Sequence, residues 1–272
     1  LSMKFKDLIA EIEQIAPRDL EEEWDNCGMQ INMGIEEVNR VLVCLDITRG
    51  LIDEAKSKNI DFIITHHPLL FNKIDVVDNN TITGNYLIDL IKLGVSVYAA
   101  HTTFDEAFGG NNEYLADLIG LSRVRKIKSI RSAARGKSKD HVVGRMGNWK
   151  EPCTLEEACK IVEEALDISG ETKIVGNLKQ MVQSVGICTG NAGDEILSAA
   201  MKSGCDLFIT GDIKHHEALA AKESGLCMID AGHFGTEHIF TENFTGKLKK
   251  AVGSKIQIFP SEINSNPFKN VI

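Results

Sequence analysis

The chain has 272 residues and a formal net charge of −9, with 43% hydrophobic and 25% charged residues. That length and apolar content support one large or two modest α/β cores, and two are expected. The acidic balance disfavours nucleic acid as the main partner, because phosphate-backbone binders carry a dense basic face that displaces counterions.

Seven cysteines, Cys27, Cys44, Cys153, Cys159, Cys188, Cys205 and Cys227, form no CxxC pair and sit mostly in apolar stretches. This excludes a disulfide framework and fits reduced thiols packing as small hydrophobes in a cytoplasmic protein. The first residues, Leu1-Ser2-Met3-Lys4-Phe5, lack an apolar signal core, and no run reaches the roughly 20 apolar residues that span a bilayer. No membrane association is expected.

In chain order, Phe5, Leu8, Ile9, Ile12 and Ile15 give a helical rhythm over Met3 to Ala16 that Pro17 ends. An acidic segment containing Trp24-Asp25-Asn26-Cys27-Gly28 follows. A first unit then reads as strand (Val41 to Leu45), helix (Gly50 to Ser57), strand (Phe62 to Thr65), an insertion with a helix (Tyr86 to Leu93) and strand (Val95 to Ala100). Lys126 to Lys139 is basic and rich in small residues, and reads as a solvated mobile loop rather than a phosphate grip. Thr154-Leu155-Glu156-Glu157 is a capping-box pattern that opens a helix through Leu166. A second unit reads as strand (Val185 to Thr189), helix (Asp194 to Lys202), strand (Leu207 to Thr210), helix (His215 to Ser224) and strand (Cys227 to Asp230), and Lys255 to Phe259 is strand-like.

The two units share one order, and Asp61-Phe62-Ile63-Ile64-Thr65-His66-His67 parallels Asp206-Leu207-Phe208-Ile209-Thr210-Gly211-Asp212. An internal repeat giving two similar α/β domains with mixed, mostly parallel sheets is expected, residues 1–124 with 240–272 forming one and 125–239 the other. Ligands in such sheets gather at the carboxyl ends of strands. There the sequence puts His66-His67-Pro68, His101-x-x-x-Asp105 and His233-x-x-x-Glu237.

Imidazole and carboxylate suit borderline divalent metals, and no cysteine adjoins these clusters. Pro68 forces a turn that lets both His66 and His67 face one cleft. Asp105 and Glu237 can bridge while His66, His67 and His233 terminate, enough donors for two divalent ions roughly 3.5–4 Å apart. His101 is a ligand, a partner of a ligand or a proton shuttle. Asp212 is expected beside the cleft, with His215 and His216 nearby, while His141 and His238 read as structural.

Taken in order, Trp24-Asp25-Asn26-x-Gly28, Leu45-Asp46-Ile47-Thr48, His66-His67-Pro68-Leu69-Leu70-Phe71, His101-Thr102-x-x-Asp105, Gly144-Arg145-x-Gly147, Thr210-Gly211-Asp212 through His216, and Gly232-His233-x-x-Thr236-Glu237 resemble the Nif-three-like family of dinuclear metal centre proteins, known in bacteria as GTP cyclohydrolase 1 type 2 homologs. The resemblance covers nearly the whole chain. It implies metal ligands at His66, His67, Asp105, His233 and Glu237, two divalent ions (iron, zinc or manganese) and a toroidal homohexamer. The chain is too short for the extra domain some relatives carry, and Asp212 stands where glutamate is common. The function implied is hydrolysis of a small molecule, GTP, by metal-activated water attacking C8 of the guanine ring with loss of formate, His101 or His216 moving protons. Arg145, the basic loop or a neighbouring subunit would then grip the phosphates, since no Walker pattern is present. Metal handling or partner binding without turnover is the other reading.

Overall fold

The computed structural model describes residues 2–130, 140–168 and 170–269, apart from the side chains of 128–130 and 140–143. The chain divides into two compact units, Leu1–Gly110 with Phe240–Pro267 and Asn111–Ile239 with Phe268–Ile272. Both mix helices with parallel and antiparallel strands. Among the described residues no helix is long and apolar enough to cross a membrane, and all seven cysteines are free.

The first unit opens with β1 (Met3–Lys4), α1 (Phe5–Ile15), β2 (Gly28–Ile31), β3 (Glu37–Val38), β4 (Arg40–Cys44), α2 (Arg49–Ser57), β5 (Phe62–Thr65), α3 (Ile82–Leu93), β6 (Ser96–Ala99) and α4 (Thr102–Asp105). Thr48 and Thr81 cap α2 and α3, accepting from Leu51 N–H and Gly84 N–H, as short hydroxyl side chains at helix starts do. Leu42, Cys44, Ile63 and Val97, on alternate positions of three strands, pack with Leu51, Ile52, Leu87 and Leu90 of the helices.

The second unit holds α5 (Asn111–Leu118), β7 (Ser122–Ile130), β8 (Asp140–Thr154), α6 (Leu155–Leu166), β9 (Lys173–Val175), β10 (Met181–Asn191), α7 (Gly193–Lys202), β11 (Leu207–Gly211), α8 (His215–Ser224), β12 (Cys227–Asp230) and α9 (His233–Glu237). The capping box of α6 is formed, Thr154 and Glu157 each accepting the other's backbone N–H. Strand alternation splits two cores: Leu207, Ile209, Cys227 and Ile229 line one cluster, Phe208 and Met228 the other. Helix α10 (Ile239–Val252) and β13 (Gln257–Pro260) complete the first unit.

The first sheet, ordered β13-β4-β5-β6-β2, is parallel except for β2. The second, ordered β7-β8-β10-β11-β12-β9, is parallel only at β10-β11-β12. The expectation of mostly parallel sheets is therefore corrected for the second unit, where antiparallel pairing by β7, β8 and β9 flanks the parallel centre. The basic stretch is corrected in part. Lys126 to Ile130 belong to β7 and pair with β8, whereas 131–139 lie outside the described residues.

Candidate metal centre

Three aligned strand ends of the first sheet deliver its donors. Cys44, Thr65 and Ala99 are in register across β4, β5 and β6, and Asp46, His66, His67 and His101 follow within two residues of them. The ladder runs on past the strands: His66 N–H donates to Cys44 O (3.1 Å), His67 N–H to Leu45 O (3.0 Å) and Ala100 N–H to Thr65 O (2.9 Å). The turn at Pro68 thus starts from a fixed backbone. The ring of His66 lies 5.0 Å from those of His67 and His101, and the His67 ring 5.5 Å from that of His101. One ligand atom from each of the three falls within 4.8 Å of the others.

Each of these rings is held at Nδ1. The acceptor is Ala100 O for His66 (3.1 Å), Asp46 Oδ1 for His67 (2.7 Å) and Asp25 Oδ1 for His101 (2.9 Å). Carbonyl and carboxylate oxygens only accept, so Nδ1 carries a proton and Nε2 is the candidate metal donor. His66 is fully buried, tilted against Phe240 at 4.8 Å, with Nε2 at 3.7 Å from Asp105 Oδ2 in the single turn of α4.

The carboxylates behind the rings are themselves fixed. Asp25 Oδ2 accepts from Thr102 N–H (3.1 Å), Thr102 Oγ1–H (2.5 Å) and Cys27 Sγ–H (3.0 Å). Burial works to raise its carboxyl pKa, but the His101 contact and these donors prevail and hold it well below the usual range. Burial, then the Asp25 charge, pushes the Cys27 thiol up to about 11. Burial also opposes ionisation of Asp46, yet His67 and the Ser265 hydroxyl, donating at 2.7 Å, keep its carboxyl pKa lowered.

In the second unit the ends of β11 and β12 do comparable work. Asp212 follows β11 with φ +53°, a left-handed conformation that short polar residues tolerate better than others. Its Oδ2 lies 2.8 Å from His233 Nδ1, and His233 Nε2 lies 3.0 Å from Glu237 Oε2 one turn along α9. With Nδ1–H committed to Asp212, the Nε2 lone pair faces a carboxylate. Such a pair needs a proton or a cation between them. Gly190 makes room for it: at φ +69°, a Cβ there would meet Glu237 Oε1 at 2.2 Å.

The donor chemistry in each unit therefore fits a divalent metal: oriented imidazole Nε2 atoms, carboxylates on short helical turns, and no thiolate, because burial pushes the Cys44 thiol far above its ordinary range. His216, in the first turn of α8, is exposed with Nε2 at 3.2 Å from Asp194 Oδ1. His238 Nδ1 donates to the Phe234 and Gly235 carbonyls, and its ring stacks on Phe234. The side chain of His141 lies outside the described residues. Arg145 is corrected as a phosphate grip, since it is fully buried with Nε donating to Glu113 Oε1 at 2.8 Å.

Asp25 and Asp46 gain roles in holding histidines that sequence reasoning did not give them. Their positions inside the Trp24-Asp25-Asn26 and Leu45-Asp46 motifs were the available signal. The role of Gly190 had none.

Residues 3–267 match the sequence profile of the Duf34/NIF3 (NGG1p interacting factor 3) family. The chain is 32% identical over 268 residues to a GTP cyclohydrolase 1 type 2 homolog of Clostridium perfringens, covering 98% of this chain and 99% of that one. It is 33% identical to the protein of the same name from Clostridium acetobutylicum, covering 99% of each. A crystal structure of a Bacillus cereus protein related to NIF3 superposes with a TM-score of 0.89 over 99% of both chains at 22% identity, a likeness of fold. With the family profile matched over residues 3–267 and relatives at 32% and 33% identity along nearly their whole length, the chain belongs to the Duf34/NIF3 family.

Proposed function

We propose that this chain is a metal-dependent hydrolase of the GTP cyclohydrolase 1 type 2 kind, with His66, His67, Asp105, His233 and Glu237 as ligands of two divalent ions and His101 and His216 as proton carriers. The observation that carries this reading is the shared tethering of His66, His67, His101 and His233 at Nδ1, which leaves Nε2 of each as the donor. Bound divalent ions supply an acidified water and a polarised electrophile. The chain's residues supply the rest. Asp46 and Asp212 fix the rotation of His67 and His233, while Asp25 fixes His101 and favours its imidazolium after it takes a proton. A homohexameric ring belongs to the same reading, which light scattering of the purified protein checks.

The experiment is mass spectrometry of products after incubating iron-, zinc- and manganese-loaded protein with GTP, beside Asp105→Ala of measured metal content. Formate with a ring-opened or pterin triphosphate, absent in the variant, is the expected outcome. Intact GTP at full metal occupancy overturns the reading.

A further inference from the structure

The structure assigns a second element to the rim of the His66–His67–His101 group: Trp24 and Phe71 form a stacking platform for a flat heteroaromatic ring of the nucleobase type. This subsite deepens, and rests on, the proposed action on a nucleotide ring.

Trp24 is 52% and Phe71 49% exposed, large apolar areas for side chains outside any core. Their ring centroids are 6.1 Å apart at a 56° tilt, and the His101 ring meets Trp24 at 5.8 Å and Phe71 at 6.5 Å, edge-on in both cases. The two half-exposed aromatic rings therefore lie tilted to each other beside an imidazole of the donor group. Planar π-systems favour such face and edge contacts, whatever hydrogen bonds their rims carry.

The exposure is built in. Asn26 Nδ2 donates to Leu70 O at 2.6 Å, tying the segment after Trp24 to the residue before Phe71. Gln30 clamps the same two segments, Nε2 donating to Asn26 O at 2.8 Å and Oε1 accepting from Leu70 N–H at 3.1 Å. Asp25, next to Trp24, is locked to His101 and Thr102. Both aromatic residues are thus held at the donor group by hydrogen-bonded neighbours. Trp149, by contrast, is buried and donates Nε1–H to Ile119 O at 2.7 Å, so it serves a core. A small-molecule ring is favoured over a larger partner because the platform joins an imidazole of the candidate metal group rather than a sheet edge or a broad helix face.

The chain has two tryptophans, and only Trp24 is open to solvent, so indole fluorescence reads the platform without reference to turnover. Guanosine 5′-monophosphate and ribose 5-phosphate are titrated into metal-free and metal-loaded protein, with affinities repeated by calorimetry. Saturable quenching by the nucleotide and none by the sugar phosphate is expected. Trp24→Leu is expected to weaken nucleotide binding roughly 10- to 100-fold, with Trp24→Phe retaining most of the affinity. Metal content and circular dichroism should match wild type, and Phe71→Leu serves if Trp24→Leu does not fold.

Equal affinity in the folded leucine variant, or an equal response to ribose 5-phosphate, overturns the platform. Quenching that follows protein concentration instead of nucleotide overturns it in favour of a second copy of the chain. Failure of the two readings is separable: nucleotide binding lost in Trp24→Leu but never followed by product keeps the platform and sinks the hydrolase. Product formation with unchanged affinity in Trp24→Leu does the reverse.

Discussion

Asp212 Oδ2 approaches His233 Nδ1 to 2.8 Å from a backbone held at φ +53°. The strained conformation aims the carboxylate, and the carboxylate sets which nitrogen of the imidazole carries the proton. Asp212→Asn keeps the size but removes the charge and lets the amide offer N–H where an acceptor is needed. Metal affinity is expected to fall about 10- to 100-fold, by chelator competition, with secondary structure unchanged.

Gly190 tests the space around Glu237. In Gly190→Ala the new Cβ would stand 2.2 Å from Glu237 Oε1 on a φ of +69°, so both the backbone and the carboxylate must move. The expected result is a loss of about 1–3 kcal/mol in urea unfolding. Metal occupancy of the purified protein, by elemental analysis, should fall with it.

Glu54 gives a pH dependence away from the candidate ligands. Its buried side chain accepts from Lys58 Nζ at 2.7 Å, Ser261 Oγ at 2.6 Å and Glu262 N–H at 3.1 Å, joining α2 to the segment after β13. Burial opposes ionisation, but these donors outweigh it and hold the carboxyl below its ordinary pKa. A group depressed in the folded state stabilises it fully above the unfolded value, about 4.3, and loses that contribution as pH falls through the folded value. Glu54→Gln should cost about 1–3 kcal/mol near neutral pH, with the gap from wild type narrowing below about pH 4 in urea titrations.

The α6 capping box offers a control remote from any ligand. Thr154→Ala removes the hydroxyl that accepts Glu157 N–H at 3.2 Å. A loss of about 0.5–2 kcal/mol is expected in urea unfolding, with metal content unchanged.

Continuous apolar runs made β5 and β12 legible, and Phe62–Thr65 and Cys227–Asp230 have the bounds expected of them. The His233/Glu237 pair was legible because residues four apart on a helix are neighbours by construction. Helix α3 begins four residues earlier than expected, at Ile82. Its N-cap Thr81 supplies the start, while the 73% exposure of Ile82 broke the amphipathic rhythm. The 15-residue β8 escaped notice because glycines and charged residues interrupt its alternation. The roles of Asp25 and Asp46 lay beyond local reasoning, since the carboxylates stand 76 and 21 residues from the histidines they hold.

The first unit is interrupted after Gly110 and resumes at Phe240, and Asn243 Nδ2 donates to Gly109 O at 3.1 Å where its two strands of chain rejoin. Its β13 then pairs with β4 as an edge of the sheet. On the ribosome, β4 must consequently wait for that neighbour until the whole inserted unit has been synthesised. The second unit, whose sheet strands all lie within 111–239, can complete its hydrogen-bonded sheet first. The apolar segment of β4 therefore spends translation with one side unpaired, and a chain cut short after Ile239 exposes that side as a template for aggregation.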